Sequence, residues 1–302
     1  MRTIVHLSDL HFGRVDARLL EPLRRAVAQL APHLVVVSGD LTQRARTEEF
    51  RQARQYLETL PAPQVVVPGN HDIPLYNVFQ RFFAPHAKHR RFFGAELEPA
   101  FVDDEIAVLG VNTARSVTFK DGRIDERQVE RIRLRLGSLP ETTTRMLVTH
   151  HPFDVPERLR NTHRIVGRAA MAMKTLAHCG ADVLLSGHLH ATHAGHTAER
   201  YKIEGFSALL IQAGTATSTR GRGEANAFNV LRIDDPRIEV VRHGYDSKQH
   251  AFVALDGHAY TRRGDDWEGA PYEPPPKAVE ADPAVQASTA RQEARIDAAP
   301  KP

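Results

Sequence analysis

The sequence is short of cysteine and of long apolar runs, and each shortage excludes a class of protein. Its 302 residues include one cysteine. A single cysteine cannot form an internal disulfide, and we interpret Cys179 as a core thiol, not a nucleophile. No apolar stretch approaches the roughly 20 residues that a bilayer-spanning helix needs. With no hydrophobic leader after Met1, we expect a cytoplasmic protein without a membrane span.

Two signatures of common hydrolases and transferases are missing as well. The sequence contains no G-x-x-x-x-G-K-[ST] phosphate loop and no G-x-S-x-G nucleophile turn. The formal net charge is only +3, and no block of five or six like charges occurs. A moderately basic chain suits an anionic substrate, whereas nucleic acid is an improbable partner.

Five short apolar runs are present, and each ends in side chains that can bind a metal ion. The runs with their endings are Ile4–His11, Leu34–Asp40, Gln64–Asp72, Met146–Pro152 and Val183–His190. Ligands of open α/β sheets bind outside the carboxyl ends of the strands, so we expect these endings to meet at one edge. The mixture of carboxylate, amide and imidazole favours Mn, Fe(II), Co, Ni or Zn over a Ca or Mg cage or a thiolate site.

The blocks also resemble a known family. Their order is Asp-x-His at 9 and 11, Gly-Asp at 39 and 40, Gly-Asn-His-Asp at 69 to 72, His-His-Pro at 150 to 152, and Gly-His-x-His at 187 to 190. Over residues 1 to 262 the chain resembles the calcineurin-like metallophosphoesterases, with no departure at a ligand position. The complete Gly-Asn-His-Asp, together with Gln212–Asn229, is similar to the bacterial class III cyclic-nucleotide phosphodiesterases.

The resemblance implies an α/β fold, a four-layer αββα sandwich of two mixed β-sheets flanked by helices. It also implies two divalent transition-metal ions of the Mn, Fe or Zn class. The first ion would be held by Asp9, His11, Asp40 and His190. The second would be held by Asp40, Asn70, His150 and His188, so Asp40 bridges the pair. A hydroxide bridging the ions would attack phosphorus.

The same resemblance assigns roles around the metal ions. His71 would assist the leaving group as the catalytic acid, with Asp72 behind it as a supporting group. The substrate phosphate would lie near His11, Asn70, His71 and His190.

Several assignments remain open at this stage. His151 competes with its neighbour His150 for the ligand position, and otherwise stands behind it. His193 and His196 have metal-ligand spacing but are interpreted as exposed residues of a polar loop. Arg220 and Arg222 are equally compatible with a substrate contact and with an ordinary surface position.

The stretch after Ile73, rich in Phe and basic residues, is interpreted as helix packed on the core with a solvated basic face, or otherwise as a substrate-side cap. The loop that follows His151, residues 152–164, is expected at the pocket rim.

The leading functional hypothesis is a phosphodiesterase for small anionic diesters, with a 3′,5′-cyclic nucleotide as the first candidate. Alternatives are hydrolysis of a glycerophosphodiester, of UDP-diacylglucosamine pyrophosphate, or of DNA. An alternative of another class is a non-catalytic scaffold that binds proteins, and a homo-oligomer is possible. We expect one catalytic domain over 1–263 and a disordered tail over 264–302. Within the domain we expect a parallel βαβαβ start and an antiparallel second sheet built from the late strands.

Overall fold

The computed structural model describes residues 1–155, 165–190, 193–197, 200–201, 203–220 and 225–272. The helices are α1 Ala17–Leu30, α2 Thr47–Leu57, α3 Val78–Phe83, α4 Ala87–Phe93, α5 Glu126–Gly137 and α6 Ala169–His178. The strands are β1 Arg2–Leu7, β2 Leu34–Val37, β3 Gln64–Val66, β4 Ala100–Val102, β5 Ile106–Gly110, β6 Thr144–Val148, β7 Val183–Ser186, β8 His193–His196, β9 Leu209–Gln212, β10 Ala227–Asp234, β11 Arg237–Asp246, β12 Ala251–Arg263 and β13 Asp266–Pro271. None of the described helices is long and apolar enough to cross a membrane.

Two mixed sheets pack face to face. The first has the order β13-β12-β11-β10-β1-β2-β3, and the second has the order β4-β5-β6-β7-β9-β8. One apolar cluster unites residues of both sheets, such as Val36 and Val148, and therefore lies between them. A second cluster packs α1 and α2 on the outer face of the first sheet, and a third packs α5 and α6 on the outer face of the second. The predicted four-layer sandwich is confirmed.

The β-branched run of β2 shows why this sequence forms a buried parallel strand. Leu34 and Val36 belong to the layer between the sheets, whereas Val35 and Val37 contact the helix layer. A strand that is covered on both faces needs apolar residues at every position, not only at alternate ones. β1, β2 and β3 are parallel neighbours, as the sequence predicts.

The late strands do not form the separate antiparallel sheet that the sequence suggested. β10 pairs antiparallel with β1, so β10 to β13 complete the first sheet. β9 instead joins the second sheet, where it runs parallel to β7. Alternation along a strand predicts antiparallel pairing but does not say which sheet receives the strand.

The ordered domain also extends past the predicted boundary at residue 263. Arg263 and Asp266 pair across a tight turn into β13, and Trp267 is buried in the layer between the sheets. The Arg262 guanidinium lies 4.7 Å from the centroid of the Trp267 ring. One large aromatic side chain anchors this edge strand, although its neighbours show no apolar period. The remainder of the expected tail, 273–302, lies outside the described residues.

The Phe-rich stretch divides into two helices with opposite orientations. On α4, Phe92 stacks on Phe50 of α2, as the core-packing interpretation expects. On α3 the interpretation is wrong, because Phe79 and Phe83 are exposed and Arg81 is buried. The apolar face of α3 points to solvent.

Candidate metal centre

The ligand-bearing loops converge because five strands end at the same edge of the sandwich. The parallel strands β1, β2 and β3 of the first sheet, and the parallel strands β6 and β7 of the second, lead into the loops that carry the predicted ligands. Backbone hydrogen bonds join the loops, from Asp9 N to Gly39 O (3.1 Å) and from His11 N to Asp40 O (2.9 Å). A third bond crosses between the sheets, from His188 N to Asp9 Oδ2 (3.0 Å).

Backbone strain is concentrated in these loops. Five predicted ligands adopt positive φ, namely Asp9 (52°), His11 (51°), Asp40 (51°), His188 (72°) and His190 (54°). Non-glycine residues rarely occupy this region, and such conformations persist where surrounding structure enforces them, typically at functional sites. The clustering therefore marks the loops as a site, independently of any motif.

Two glycines let the loops approach one another closely. A Cβ on Gly69 would lie 2.2 Å from Asp40 Oδ1, and a Cβ on Gly187 would lie 1.8 Å from Ser8 Oγ. Any larger residue would displace a carboxylate or its neighbour. The glycines of the Gly-Asn-His-Asp and Gly-His-x-His blocks are thus required by contact between loops.

The first group of ligand atoms surrounds Asp9. His190 Nε2 lies 3.4 Å and His11 Nε2 lies 3.5 Å from Asp9 Oδ1, and His11 Nε2 lies 3.7 Å from Asp40 Oδ2. The His11 and His190 rings stack with centroids 5.1 Å apart. Asp9 Oδ1 and His11 Nε2 are buried and have no hydrogen-bond partner among the described residues. Buried polar atoms normally have partners, so this group fits a bound cation.

The second group surrounds His150. Its Nε2 atom lies 3.3 Å from Asp40 Oδ2, 3.2 Å from Asn70 Oδ1 and 3.2 Å from His188 Nδ1. His150 Nδ1–H donates to Ser38 O (2.8 Å), which directs the Nε2 lone pair at the cluster. Asp40 Oδ2 is near both groups, and Asp40 Oδ1 accepts from His71 N (2.8 Å).

These spacings suit metal binding. Ligands bound at about 2.0–2.2 Å with tetrahedral angles lie about 3.3–3.6 Å apart, close to the observed separations. The mixed nitrogen and oxygen donors match borderline divalent ions. Among the described residues, the carboxylate and imidazole groups that could hold an ion include Asp9 with His11 and His190, and Asp9 with Asp40 and His150.

The pKa values show strong coupling within the cluster. Burial disfavours the Asp40 carboxylate, but the imidazoles of His150, His71 and His11 together outweigh it and hold the pKa of Asp40 well below its usual range. Burial likewise opposes protonation of His150, yet Asp40 raises the pKa of His150 to about 9. Burial and the neighbouring His150 lower the pKa of His188 to about 3. The buried carboxylates thus favour a positive charge beside them, which the protonated imidazole of His150 provides. A bound metal ion would supply that positive charge in place of the proton.

The structure separates the two adjacent histidines. His151 Nε2–H donates to Lys120 O (3.0 Å), and Thr113 Oγ1 donates to His151 Nδ1 (2.8 Å). Both ring nitrogens of His151 are therefore engaged, whereas His150 keeps Nε2 free for the cluster. This geometry favours His150 as the ligand and His151 as a buried support.

His71 lies beside the cluster and is held from both sides. Its Nδ1–H donates to Gln43 O (2.8 Å), so in the neutral ring Nε2 carries the lone pair. Arg220 Nη1 donates to that Nε2 atom at 3.0 Å. Burial, His11 and Arg220 outweigh Asp40 and lower the pKa of His71.

Asp72 joins the two loops that carry Asp40 and Asn70. Its carboxylate accepts from the backbone N–H groups of Gly69 (2.9 Å), Leu41 (3.2 Å) and Thr42 (2.9 Å), and from Thr42 Oγ1 (2.8 Å). Burial and the Asp40 charge raise the pKa of Asp72 to about 6, although these four hydrogen bonds oppose protonation. Asp72 thus orients the turn, and it makes no direct contact with the His71 ring among the hydrogen bonds described.

The remaining predicted residues fall outside this cluster or outside the described structure. His193 lies in β8 and belongs to none of the groups of potential metal ligands in the described residues. The side chain of His196, the residue Arg222 and the rim segment 156–164 lie outside the described part. Sequence inspection missed Gln43 and Lys120, because both act through backbone carbonyls that any residue could supply.

Comparison with known proteins agrees with this geometry. The profile of the family described as calcineurin-like phosphoesterase matches residues 2–192. The 3′,5′-cyclic adenosine monophosphate phosphodiesterase CpdA of Escherichia coli (strain K12) is 27% identical over 202 residues, covering 62% of this chain and 69% of its own. A cAMP/cGMP dual specificity phosphodiesterase of Mycobacterium tuberculosis is 27% identical over 253 residues, covering 76% of this chain and 75% of its own.

The fold has a solved counterpart too. The purple acid phosphatase PPD1 from yellow lupin superposes with a TM-score of 0.64 at 12% identity, over 86% of this chain and 54% of that protein. At this identity the likeness concerns the fold alone. The match of the family profile to nearly two thirds of the sequence is the stronger finding. The chain therefore belongs to the calcineurin-like phosphoesterase family and is a metal-dependent phosphoester hydrolase.

Proposed function

We propose that this protein hydrolyses small phosphodiesters, with 3′,5′-cyclic nucleotides as the first candidate substrates. The observation that carries the proposal is the convergence of seven predicted ligands with His71 and Arg220 at one edge of the sandwich. Two relatives that align with more than 60% of the chain are named as phosphodiesterases of cyclic nucleotides. A cytoplasmic location and an Mn, Fe or Zn centre belong to the same proposal.

Two ions would be held by the two groups of side chains. Asp9, His11 and His190 serve the first, Asn70, His150 and His188 serve the second, and Asp40 serves both. Bound divalent ions supply Lewis acidity toward the phosphoryl oxygens and a water acidic enough to attack phosphorus at neutral pH. Unpaired ligand atoms such as Asp9 Oδ1 support this assignment.

Arg220 would bind the substrate phosphate with a positively charged side chain, in addition to the metal ions. In the part of the chain that the structure describes, its guanidinium forms no ion pair with a carboxylate, and its Nη1 atom donates to His71 Nε2. A phosphodiester carries one negative charge that a guanidinium can bind with two hydrogen bonds. We infer that a bound substrate attracts Arg220 away from His71 Nε2.

His71 would then act at the leaving oxygen. Water adds to phosphorus and releases a proton to solvent, the P–O bond to the leaving group breaks, and that oxygen takes a proton from His71 Nε2. Since Nε2 accepts from Arg220 in the free protein, the ring must first gain a proton there from solvent. Movement of Arg220 to the phosphate removes the competing donor and makes room for that proton.

A substrate screen of the metal-loaded protein tests the proposal. We expect turnover of cyclic nucleotides and of aryl phosphodiesters, with slower turnover of monoesters and long DNA. A glycerophosphodiester deserves inclusion, because the glycerophosphodiester phosphodiesterase GpdQ of Enterobacter lignolyticus is 38% identical over 80 residues, 23% of this chain. Turnover of glycerophosphodiesters with cyclic nucleotides untouched would select this alternative. Stoichiometric metal without turnover of any phosphoester would favour a scaffold.

A further inference from the structure

The short helix α3 is oriented opposite to an ordinary surface helix. Val78, Phe79, Phe82 and Phe83 share one helical face by spacing, and all four are exposed, with Phe79 and Phe83 retaining 74% and 75% of their accessible area. Arg81, on the other face, retains only 2%. A helix of a soluble protein normally turns the apolar face inward.

The exposed surface continues on both sides of α3. Leu75 and Tyr76 precede the helix, and Val117 and Phe119 come from the loop after β5, all of them exposed. The Arg81 guanidinium stacks 4.0 Å from the centroid of Phe119 and links that loop to α3. We call these eight side chains, Leu75, Tyr76, Val78, Phe79, Phe82, Phe83, Val117 and Phe119, the apolar patch. They are eight of the twelve exposed large apolar side chains in the described part of the chain.

The apolar patch is set in positive charge. Between Asp72 and Glu96 the sequence has no acidic residue but contains Arg81, Lys88, Arg90 and Arg91. Arg44 is exposed and donates to the hydroxyl of Tyr76, and exposed Lys120 follows Phe119. Arg81 donates to Pro74 O (3.1 Å), and within the part of the chain that the structure describes its Nε and Nη2 atoms have no hydrogen-bond partner. The patch therefore has an apolar face above a buried cation.

We propose that the apolar patch docks on an anionic phospholipid bilayer surface. Projecting aromatic rings surrounded by cations are the composition of interfacial binding segments, which insert rings at the headgroup boundary and attract lipid phosphates. The rings of Phe79 and Phe83 retain about three quarters of their accessible area, which is unfavourable for enclosing a small ligand. A second copy is disfavoured, since a two-fold contact would place the same cations opposite each other.

Docking would bring the metal centre to the bilayer. The patch begins three residues after Asp72, and Arg44 adjoins Gln43, whose carbonyl holds His71. Lys120 is likewise the residue whose carbonyl holds His151. This inference does not rest on the proposed function, because lipid binding can be measured without a substrate.

Vesicle sedimentation of the full chain with its metals tests the proposal. Vesicles of phosphatidylcholine alone should bind the protein weakly, and vesicles that also contain phosphatidylglycerol should bind it strongly. The Phe79→Ser, Phe83→Ser double variant should lose about tenfold or more in partition coefficient on the anionic vesicles. Leu134→Ser is the matched control, since Leu134 is 57% exposed on α5 and should leave the coefficient unchanged.

Further variants and measurements distinguish the effect of charge on vesicle binding from effects of misfolding and of self-association. Arg44→Gln with Lys120→Gln should reduce the preference for anionic vesicles several-fold. Thermal melting, metal content and unchanged turnover of a soluble diester would show that the Phe variants are folded. Equal binding by wild type, the Phe variant and the control would overturn the proposal. So would absence of vesicle binding together with a dimer that the Phe variant converts to monomer, since the patch would then be an interface between copies.

Discussion

The loops of the two sheets bring different side chains to the proposed metal centre. The loops of the first sheet supply Asp9, His11, Asp40 and Asn70, so three of their four proposed ligands offer oxygen. The loops of the second sheet supply His150, His188 and His190, which offer only imidazole nitrogen. We call the first set of loops the oxygen-rich half of the site, which carries the negative charge, and the second set the imidazole half, which would complete the coordination. Each proposed ion takes side chains from both halves, so packing of the two sheets creates the site.

The comparison predicts that a change in the oxygen-rich half is the most damaging. Asp40→Ala removes the residue near both groups, and we expect loss of both ions and a fall in kcat of at least about 10⁴-fold. Metal analysis and turnover measure the two effects. Asp104→Ala, an exposed carboxylate before β5, is the matched control. Full metal content with near-normal turnover would show that Asp40 does not bridge.

In the imidazole half, adjacent histidines should respond differently. His150→Ala should empty one ion position and lower kcat by about 10²-fold or more. His151→Ala should retain both ions and instead lower the free energy of unfolding by about 1–3 kcal/mol. The reason is that the buried Thr113 hydroxyl and the Lys120 carbonyl lose their hydrogen-bond partner. Metal content and urea unfolding distinguish the outcomes. Loss of an ion in His151→Ala alone would reverse the assignment.

His71 stands between the halves and should affect chemistry without affecting metal content. His71→Ala should retain both ions while kcat for a diester with an alkoxide leaving group falls about 10²- to 10⁴-fold. The loss should be smaller for an aryl diester, whose leaving oxygen needs little proton assistance. An equal loss on both substrates would assign His71 to phosphate binding.

Arg220 should mainly alter substrate affinity. Arg220→Ala should raise KM and the inhibition constant of inorganic phosphate by about tenfold, whereas Arg220→Lys should recover part of the loss. Arg237→Ala, at the start of β11, serves as the control. An unchanged phosphate inhibition constant would leave Arg220 without a substrate contact.

The smallest effect, on the free energy of unfolding, is expected from removal of the residues that follow β13 at the far edge of the first sheet. Removal of residues 273–302 should shift the free energy of unfolding by less than about 0.5 kcal/mol. Removal from Asp265 also deletes β13, and loss of buried Trp267 should cost about 3–5 kcal/mol. Urea denaturation of both truncations measures the difference. Similar stabilities would show that β13 adds little to the sheet.

Much of the proposed site could be inferred from the sequence because its candidate ligands closely follow recognisable strands. Asp40 comes three residues after the strand Leu34–Val37, and the parallel sheet brings that loop to the common edge. The resemblance favoured His150 over His151 as the ligand, but the contacts that separate the two rings, with Thr113 and a backbone carbonyl, are distant in sequence and belong to no motif. The contact between Arg220 and His71, 149 residues apart, likewise belongs to no motif.

The fold was predictable to the level of layers but not of strand partners or helix orientation. Alternation in β10 is compatible with either sheet, and only pairing with β1 assigns it to the first. The spacing of Phe79 and Phe83 predicts that they share a face. Whether that face turns inward depends on Arg81 and its stacking partner Phe119, which lies in another loop.

The interlocking of the loops has a consequence for biosynthesis. The bond from His188 N to the Asp9 carboxylate joins residues 179 positions apart, and the one from His150 to Ser38 spans 112 positions. Each proposed ion takes ligands from loops of both sheets. The second proposed ion has its full set of ligands only after His188 is translated, and the first only after His190. Complete coordination of either ion therefore follows synthesis of the loops of both sheets.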